Sequence, residues 1–311
     1  MRKHRTFALG ASLLALAIFA AACSSGGGNT NAGGNTPSAA AKGTIVVGVS
    51  GAFAENQLVA EMYAQVLEHA GYTVKREFNI ESRPVSDKAL ESGKIDLKPE
   101  YTGFELPTFD KSAATNGDPA TVAKSLQTAA AAKGFVTYAY SPANSTNVFV
   151  TTPETASKYH LTDMSSLAPV AGQLTLGVPP DCAKEAFCIP GLQKTYGITF
   201  GDVKSLDFGG PKTVTAIDSG AVDVGELFSL DPTIADKGYH VLTDDKNLQA
   251  AGNFVPILRQ SVASPQLGQL LDSVTTKLTD DNMRQMVGQV QNQHMDVADV
   301  AKTFLTSQGI M

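Results

Sequence analysis

Histidine is scarce in this chain, and the motifs that mark common enzyme active sites are missing. The five histidines are far apart in sequence, and none belongs to an H-E-x-x-H zinc motif. The chain also lacks a G-x-S-x-G nucleophile elbow and a phosphate-binding P-loop. We therefore expect neither catalysis nor a bound cofactor or metal ion, and a secreted enzyme stays only as an alternative.

Beyond the first five residues, clusters of basic residues are also missing. The net charge is −6 at pH 7, and the Lys and Arg residues are scattered along the chain. This pattern argues against nucleic acid or anionic lipid as a partner. Beyond the first 22 residues, no apolar run reaches the roughly 20 residues that span a bilayer. The whole chain has 43% hydrophobic residues, and its remainder is globular in composition. Its roughly 270 residues can form one large domain or two lobes.

Residues 1–22 have the pattern of an export signal. A basic start is followed by an apolar run too short to span a membrane, and small residues then precede Cys23. This ending resembles a bacterial lipobox, with Ala20 where Leu is more usual. It predicts lipidation of Cys23 and anchoring to the outer face of the plasma membrane; an ordinary cleavage site is the alternative. Residues 23–43 are too polar to fold and predict a lipidated flexible tether.

Only two cysteines remain after Cys23. They are Cys182 and Cys188, and two cysteines in an exported chain are expected to pair. The alternative is a metal site, which would need two more ligands, and no histidine is close in sequence. We predict the disulfide.

Strand and helix patterns alternate through most of the exported chain. The segment 44–50 is a β-branched run typical of a strand buried on both faces, and helical spacing follows at 58–70. Such alternation predicts α/β units with mostly parallel sheets. The predicted strands are 44–50, 73–78, 95–100, 135–140, 147–152, 174–178, 203–208 and 222–228, and the helices include 58–70, 84–92 and 121–133.

The two halves of this series resemble each other. Residues 89–97 can be aligned with residues 216–224 at an offset of 127, each copy giving a helix end, Ser-Gly and a strand. The same register pairs Tyr101 with Phe228. Ligands of open α/β sheets bind beyond the carboxyl ends of strands. We expect these two rings to face each other across a cleft between two lobes, although the helix–Ser-Gly–strand pattern is also common by chance.

The C-terminal segment is helical, with three apolar stripes between 267 and 305. We expect these helices to pack on the first lobe, so that the chain crosses between lobes twice, near 141–147 and near 243–255. The predicted domains are accordingly 44–145 with 246–311 for lobe I and 146–245 for lobe II.

Several segments resemble one known family. Residues 53–57 and the amphipathic helix that ends at Gly71 are similar to the first helix of glycine betaine- and choline-binding proteins of the ProX and OpuC type. The most specific segment is 92–103, SGKIDLKPEYTG. Segments 191–197, 228–231 and 242–246 match as well. From about residue 44 onward, the chain is identified as a member of this family.

The resemblance implies a type II periplasmic-binding-protein fold and an ABC permease with its ATPase as partners. It also implies an aromatic box that holds a quaternary ammonium group by cation–π attraction. Tyr101 matches a box tyrosine, Phe228 stands where the family usually has Tyr, and Asn147 where it often has another. Phe104 replaces the usual Thr. The expected ligand-binding residues are Tyr101, Phe228, Asn56, Asn147, Phe53 and Phe104.

The predicted function is that of a monomeric solute-binding lipoprotein of an ABC importer. Its expected solute is an osmoprotectant such as glycine betaine, choline or a related quaternary amine. The amides of a helix start after Phe53 or after Gly210 are expected to bind a betaine carboxylate. The alternatives are a non-betaine solute such as an aromatic hydroxylated compound, a role as a sensor, or an enzyme.

Overall fold

The computed structural model describes residues 42–51 and 53–311. The predicted signal peptide, Cys23 and the tether up to residue 41 lie outside the described residues. Among the residues that are described, no helix is long and apolar enough to cross a membrane.

The described chain contains two five-stranded sheets. The first has the order β2-β1-β3-β10-β4, and the second has the order β7-β6-β8-β5-β9. The strands of the first sheet are β1 Thr44–Ser50, β2 Thr73–Ile80, β3 Leu97–Tyr101, β4 Phe135–Thr137 and β10 Phe254–Arg259. Those of the second are β5 Asn147–Thr151, β6 Thr175–Val178, β7 Asp202–Ser205, β8 Val224–Phe228 and β9 His240–Leu242.

The two sheets have equivalent topologies, as the internal similarity predicts. Strands β3 and β8 are each the central strand, parallel to one neighbour and antiparallel to the other. In each sheet only one strand, β10 or β5, runs against the other four. The expectation of mostly parallel sheets is therefore confirmed, with one reversed strand that the sequence pattern did not reveal.

Helices cover both sheets. Four of them, in the first half of the first lobe, are α1 Ala54–His69, α2 Arg83–Glu91, α3 Thr102–Phe109 and α4 Pro119–Ala131. The second lobe contributes α5 Pro153–Tyr159, α6 Met164–Leu167, α7 Ile189–Gly191, α8 Pro211–Asp218 and α9 Thr233–Lys237. The C-terminal helices are α10 Pro265–Thr275, α11 Asp280–Gln291 and α12 Val297–Ser307.

The C-terminal helices pack on α1, as predicted. Ser264 caps α10, since its side chain accepts a hydrogen bond from the amide of Leu267. The apolar stripes of α10, α11 and α12 join Leu58 and Met62 of α1 in one buried core. This core belongs to the first lobe, so the chain returns to the lobe in which its described part begins.

Two crossover segments connect the lobes, and they are hydrogen-bonded to each other. The first leads from β4 to β5 and the second from β9 to β10. The Ser145 amide donates to the Gly252 carbonyl at 2.9 Å, and Asn144 pairs with Asn253 as an antiparallel bridge. A Cβ at Gly252 would lie 1.6 Å from the Ser145 oxygen, so this approach requires glycine.

Candidate functional site

A cavity of about 460 Å³ lies between the two sheets. The central strands β3 and β8 point their carboxyl ends toward it, as expected for ligand sites of open α/β sheets. All six residues singled out from the sequence line this cavity: Phe53, Asn56, Tyr101, Phe104, Asn147 and Phe228. The structure thus brings them together, while their contact with a solute stays a prediction.

Local structure explains how the aromatic residues reach the cavity. Tyr101 is the last residue of β3 and Phe228 is the last residue of β8. Phe53 is the residue before α1, and Phe104 lies in the first turn of α3. Each side chain therefore sits where a strand ends or a helix begins, at the edge of the sheet that faces the other lobe.

The aromatic rings form contacts across the cleft. Phe53 and Phe228 meet edge to face with ring centroids 5.1 Å apart. On the opposite side, Phe104 meets Phe187 in the same geometry at 5.2 Å. Phe104 also lies against Tyr101, at 6.0 Å. Both interlobe pairs join a ring of the first lobe to a ring of the second, so the cavity has aromatic faces from both lobes.

Phe187 was not identified from the sequence. It lies in the short loop between the two cysteines, directly before Cys188, and lines the same cavity as Asn147. Asn147 pairs with Phe228 across strands β5 and β8 and is buried. Asn147 offers no aromatic ring where the family often has Tyr, whereas Phe187 adds a ring to the same cavity.

Glu55 in the first turn of α1 is a buried carboxyl beside Tyr101. Its Oε1 accepts a hydrogen bond of 2.7 Å from the Tyr101 hydroxyl and another from the Ser145 hydroxyl. Burial raises the pKa of Glu55, although these two hydrogen bonds act in the opposite direction. Glu55 thus connects β3 with the first crossover and fixes the orientation of the Tyr101 ring.

Arg83 is the cationic side chain among the residues that line the cavity. Its Nε donates to Glu100 at 3.0 Å and lies 3.7 Å from Glu105. The guanidinium carbon lies 5.8 Å from the ring centroids of both Tyr101 and Phe104. The charge of Arg83 is therefore already paired, and its guanidinium lies beside two aromatic rings of the site.

Lys98 lies fully buried behind these residues. Its ammonium contacts Asp87, Glu105 at 3.1 Å and Glu100 at 3.4 Å. The oxygens of Asp87, Glu100 and Glu105 come as close together as the ligands of a metal ion. Lys98 and Arg83 already supply cations to this group, so we assign it no metal.

The structure joins Cys182 and Cys188 in a disulfide, with a Cα–Cα distance of 5.2 Å. Both cysteines line the cavity, and the sulfur of Cys188 lies 3.3 Å from Oε2 of Glu226. These three residues also have the spacing of metal ligands. Sulfurs bonded to each other are not free thiolates, however, and the thiolate is the form that binds metal.

Glu226 was missed by the sequence analysis, although a signal existed. Residues i and i+2 of a strand lie on the same face, and Glu226 precedes Phe228 by two positions in β8. A carboxyl two residues before a predicted box aromatic should therefore point into the same cavity. The role of Arg83 could not be found this way, because it depends on long-range contacts with Glu100 and Glu105.

The helix start after Gly210 is not available to a ligand. The amides of Lys212 and Thr213 at the start of α8 both donate to the side chain of Asp207 at 3.0 Å. The expectation that these amides bind a betaine carboxylate is therefore wrong, because a side chain of the protein already caps the helix.

The family can be assigned at this point. The protein-family model for the substrate-binding domain of ABC-type glycine betaine transport systems matches residues 43–307. The chain belongs to this family. Members of this glycine betaine transport family are substrate-binding proteins of ABC transporters, and the match covers both lobes and both crossovers.

Individual proteins of this family agree with the assignment. The chain is 26% identical to the glycine betaine-binding protein YehZ of Escherichia coli strain K12, over 82% of this chain and 88% of that protein. It is also 26% identical to the carnitine transport binding protein OpuCC of Listeria monocytogenes, over 98% and 97%.

A solved structure supports the fold. A crystal structure described as a glycine betaine/carnitine/choline ABC transporter matches with a TM-score of 0.72 and 23% identity, over 86% of this chain and 99% of that one. The type II periplasmic-binding fold with two lobes and two crossovers, expected from the sequence, is thereby confirmed.

Proposed function

We propose that this protein captures a quaternary ammonium solute between its lobes and delivers it to an ABC permease and its ATPase. The observation that carries the proposal is the cavity with aromatic faces from both lobes. Tyr101, Phe104 and Phe53 lie on one side and Phe228 on the other. A quaternary ammonium group cannot donate a hydrogen bond, so aromatic faces are its natural partners. Each ring contributes about 0.5–2 kcal/mol.

The proposal includes the division into lobes. Lobe I comprises residues 44–145 and 246–311, and lobe II comprises residues 146–245. This division follows the sheets, because β1–β4 and β10 belong to one sheet and β5–β9 to the other. The ligand-binding residues proposed are those that line the cavity from both lobes and the first crossover: Phe53, Asn56, Tyr101, Phe104, Asn147 and Phe228.

The proposal also covers the location of the protein and its attachment to the membrane. We propose an extracytoplasmic monomer without catalytic activity, exported by residues 1–22 and anchored by a lipid on Cys23. The disulfide between Cys182 and Cys188 fits an oxidising compartment. The relatives named above do not favour an aromatic hydroxylated solute, and we do not propose one.

Titration calorimetry with choline, glycine betaine and carnitine tests the solute class. Tyr101→Ala should weaken binding of the tightest ligand by about tenfold or more, since it removes both a ring face and the partner of Glu55. Tyr101→Phe retains the ring and should lose less.

Tyr239→Ala is the matched control, because Tyr239 is similarly buried but bonds Asp218 in lobe II outside the cavity. Equal loss of affinity in Tyr101→Ala and Tyr239→Ala would place the effect in stability, and binding of none of the three solutes would refute the proposal.

The lipid anchor is tested separately by cell fractionation. Cys23→Ala should move the protein from the membrane fraction to the soluble fraction, because a diacylated cysteine supplies the attachment. Intact mass should show the acyl groups on the wild-type protein. A wild-type protein that is soluble and lacks acyl mass would contradict the anchor.

A further inference from the structure

Glu226 is a carboxyl on the cavity wall without an ordinary partner. Its side chain is 5% exposed and lines the cavity from the centre of the second sheet. Among the described residues, its carboxyl forms no ion pair, and its one polar contact is the Cys188 sulfur at 3.3 Å. A disulfide sulfur carries no hydrogen, so it cannot donate. A buried carboxylate without a donor is costly, which indicates that a ligand supplies the missing interaction.

A second unpartnered acceptor belongs to a residue that lines the same cavity. Asn56 in α1 is 2% exposed, and its Oδ1 has no hydrogen-bond donor among the described residues. Glu226 and Asn56 belong to different lobes. A solute bound between the lobes therefore meets two acceptors, which favours a solute with a hydroxyl or N–H donor.

The charges around the cavity favour a cation. The other charged side chains that line it are Asp181 and Glu185 from the second lobe, and Glu55, Glu81, Glu100 and Arg83 from the first. Arg83 is the single cation of this set, and it is already bound to Glu100. A solute carboxylate would thus meet an excess of negative charge and no free cationic partner, at a cost that burial increases.

We propose that Glu226 makes this cavity selective for a quaternary ammonium cation that carries a hydroxyl and no carboxylate, which is the chemistry of choline. The inference rests on the proposed function and narrows its solute class. The aromatic faces hold the methyl groups, Glu226 compensates the positive charge, and the free acceptors take the hydroxyl. Glycine betaine lacks the hydroxyl and adds a carboxylate.

Affinity for choline should also depend on pH. Burial, together with the nearby Asp181, raises the pKa of Glu226 to about 8. A bound cation favours the ionised carboxyl, so binding must release the proton below this pH. Choline affinity should therefore rise from about pH 6 to about pH 8, by at most tenfold per pH unit, and then level off. Glu226→Gln should abolish this rise.

The decisive experiment compares choline, tetramethylammonium and glycine betaine on wild-type protein, Glu226→Gln and Glu154→Gln by calorimetry. We expect the wild type to bind choline about tenfold or more tightly than glycine betaine, and also more tightly than tetramethylammonium. Glu226→Gln should lose about tenfold for choline and little for glycine betaine. Glu154→Gln removes the same charge from an exposed position of α5 outside the cavity and should leave the preference intact.

The outcomes separate the two proposals. A wild type that prefers glycine betaine, or a Glu226→Gln variant that weakens both solutes equally, overturns the role of Glu226 and leaves the solute class standing. A wild type that binds none of the three compounds refutes the proposed function, and the inference with it. The thermal unfolding midpoint of each variant, measured without ligand, shows whether a loss reflects misfolding.

Discussion

At the residue scale, the segment with the strongest family resemblance combines a site residue with a buried charge. Tyr101 faces the cavity, while Lys98 of the same strand is 1% exposed and contacts three carboxylates. Burial alone would lower the pKa of Lys98, but the charges of Glu100, Glu105 and Asp87 raise it above its usual range. Lys98 therefore stays protonated and stabilises the base of the site.

Lys98→Met should destabilise the protein by about 3–5 kcal/mol, because it removes the buried cation that contacts Asp87, Glu100 and Glu105. Arg83 still contacts the two glutamates, but Asp87 loses its cationic partner. Urea unfolding followed by circular dichroism measures this change. Lys124→Met on the exposed face of α4 is the control and should change stability by less than about 0.5 kcal/mol. A Lys98→Met protein as stable as the control would show that the carboxyls are protonated and need no cation.

Sequence reasoning found the apolar side of the site better than its charged side. Tyr101 and Phe228 were found because strand ends and the internal similarity indicate them. Arg83 and Glu55 were missed, since their roles depend on partners distant in sequence, such as Glu100 for Arg83 and Ser145 for Glu55. Glu226 was missed although its position two residues before Phe228 is a local signal. Charge pairing is a property of the assembled fold, and residue patterns along one strand or helix record it poorly.

At the element scale, the two crossovers form one connection rather than two independent strands. Gly252 lies so close to Ser145 that a side chain would collide with backbone atoms. The Gly252 amide also donates to the Asn144 side chain at 2.7 Å. These contacts fix the distance between the crossovers at the point where the lobes meet.

Gly252→Ala should therefore destabilise the protein by about 1–3 kcal/mol, because backbone atoms cannot move aside as cheaply as a side chain. It should also weaken solute binding by altering the lobe geometry. Gly172→Ala is the matched control, since no atom lies within 4 Å of its added Cβ. Thermal unfolding and calorimetry measure both effects, and identical results for the two variants would contradict this account.

Most element positions follow from the sequence, but strands β9 and β10 were not predicted. The run at 44–50 and the cap at Ser264 are predicted and observed at the same residues. Strand β3 begins at Leu97 instead of residue 95. Just before it, the Asp96 side chain accepts hydrogen bonds from the Val46 amide and from Arg259. The reversal of β10 depends on a crossover from the other lobe, which no local pattern records.

At the scale of the whole molecule, solute binding should be coupled to the distance between the lobes. Phe53 with Phe228 and Phe104 with Phe187 are the ring pairs that bridge the cleft, and opening about the paired crossovers would separate them. A bound cation adds contacts to both lobes only when they are close together, so it favours the closed arrangement.

Small-angle X-ray scattering with and without saturating choline should therefore show a smaller radius of gyration in the bound state. Phe187→Ala should shift the free protein toward the open state, since it removes one interlobe ring pair. Phe109→Ala alters a ring that packs on Phe135 within the first lobe and serves as the control. An unchanged radius of gyration on binding would count against hinge closure.

The hydrogen bonds between the crossovers also determine how the lobes can move. A single connecting strand would act as a swivel and permit twisting, bending and sliding in any combination. Two crossovers that are hydrogen-bonded to each other at Asn144, Ser145, Gly252 and Asn253 should restrict the motion to rotation about a single axis. We therefore expect the lobes to open and close along one arc, so that each degree of opening corresponds to one distance between their outer rims. A membrane complex that contacts both lobes would then distinguish the loaded protein from the free protein by the distance between two points on its surface.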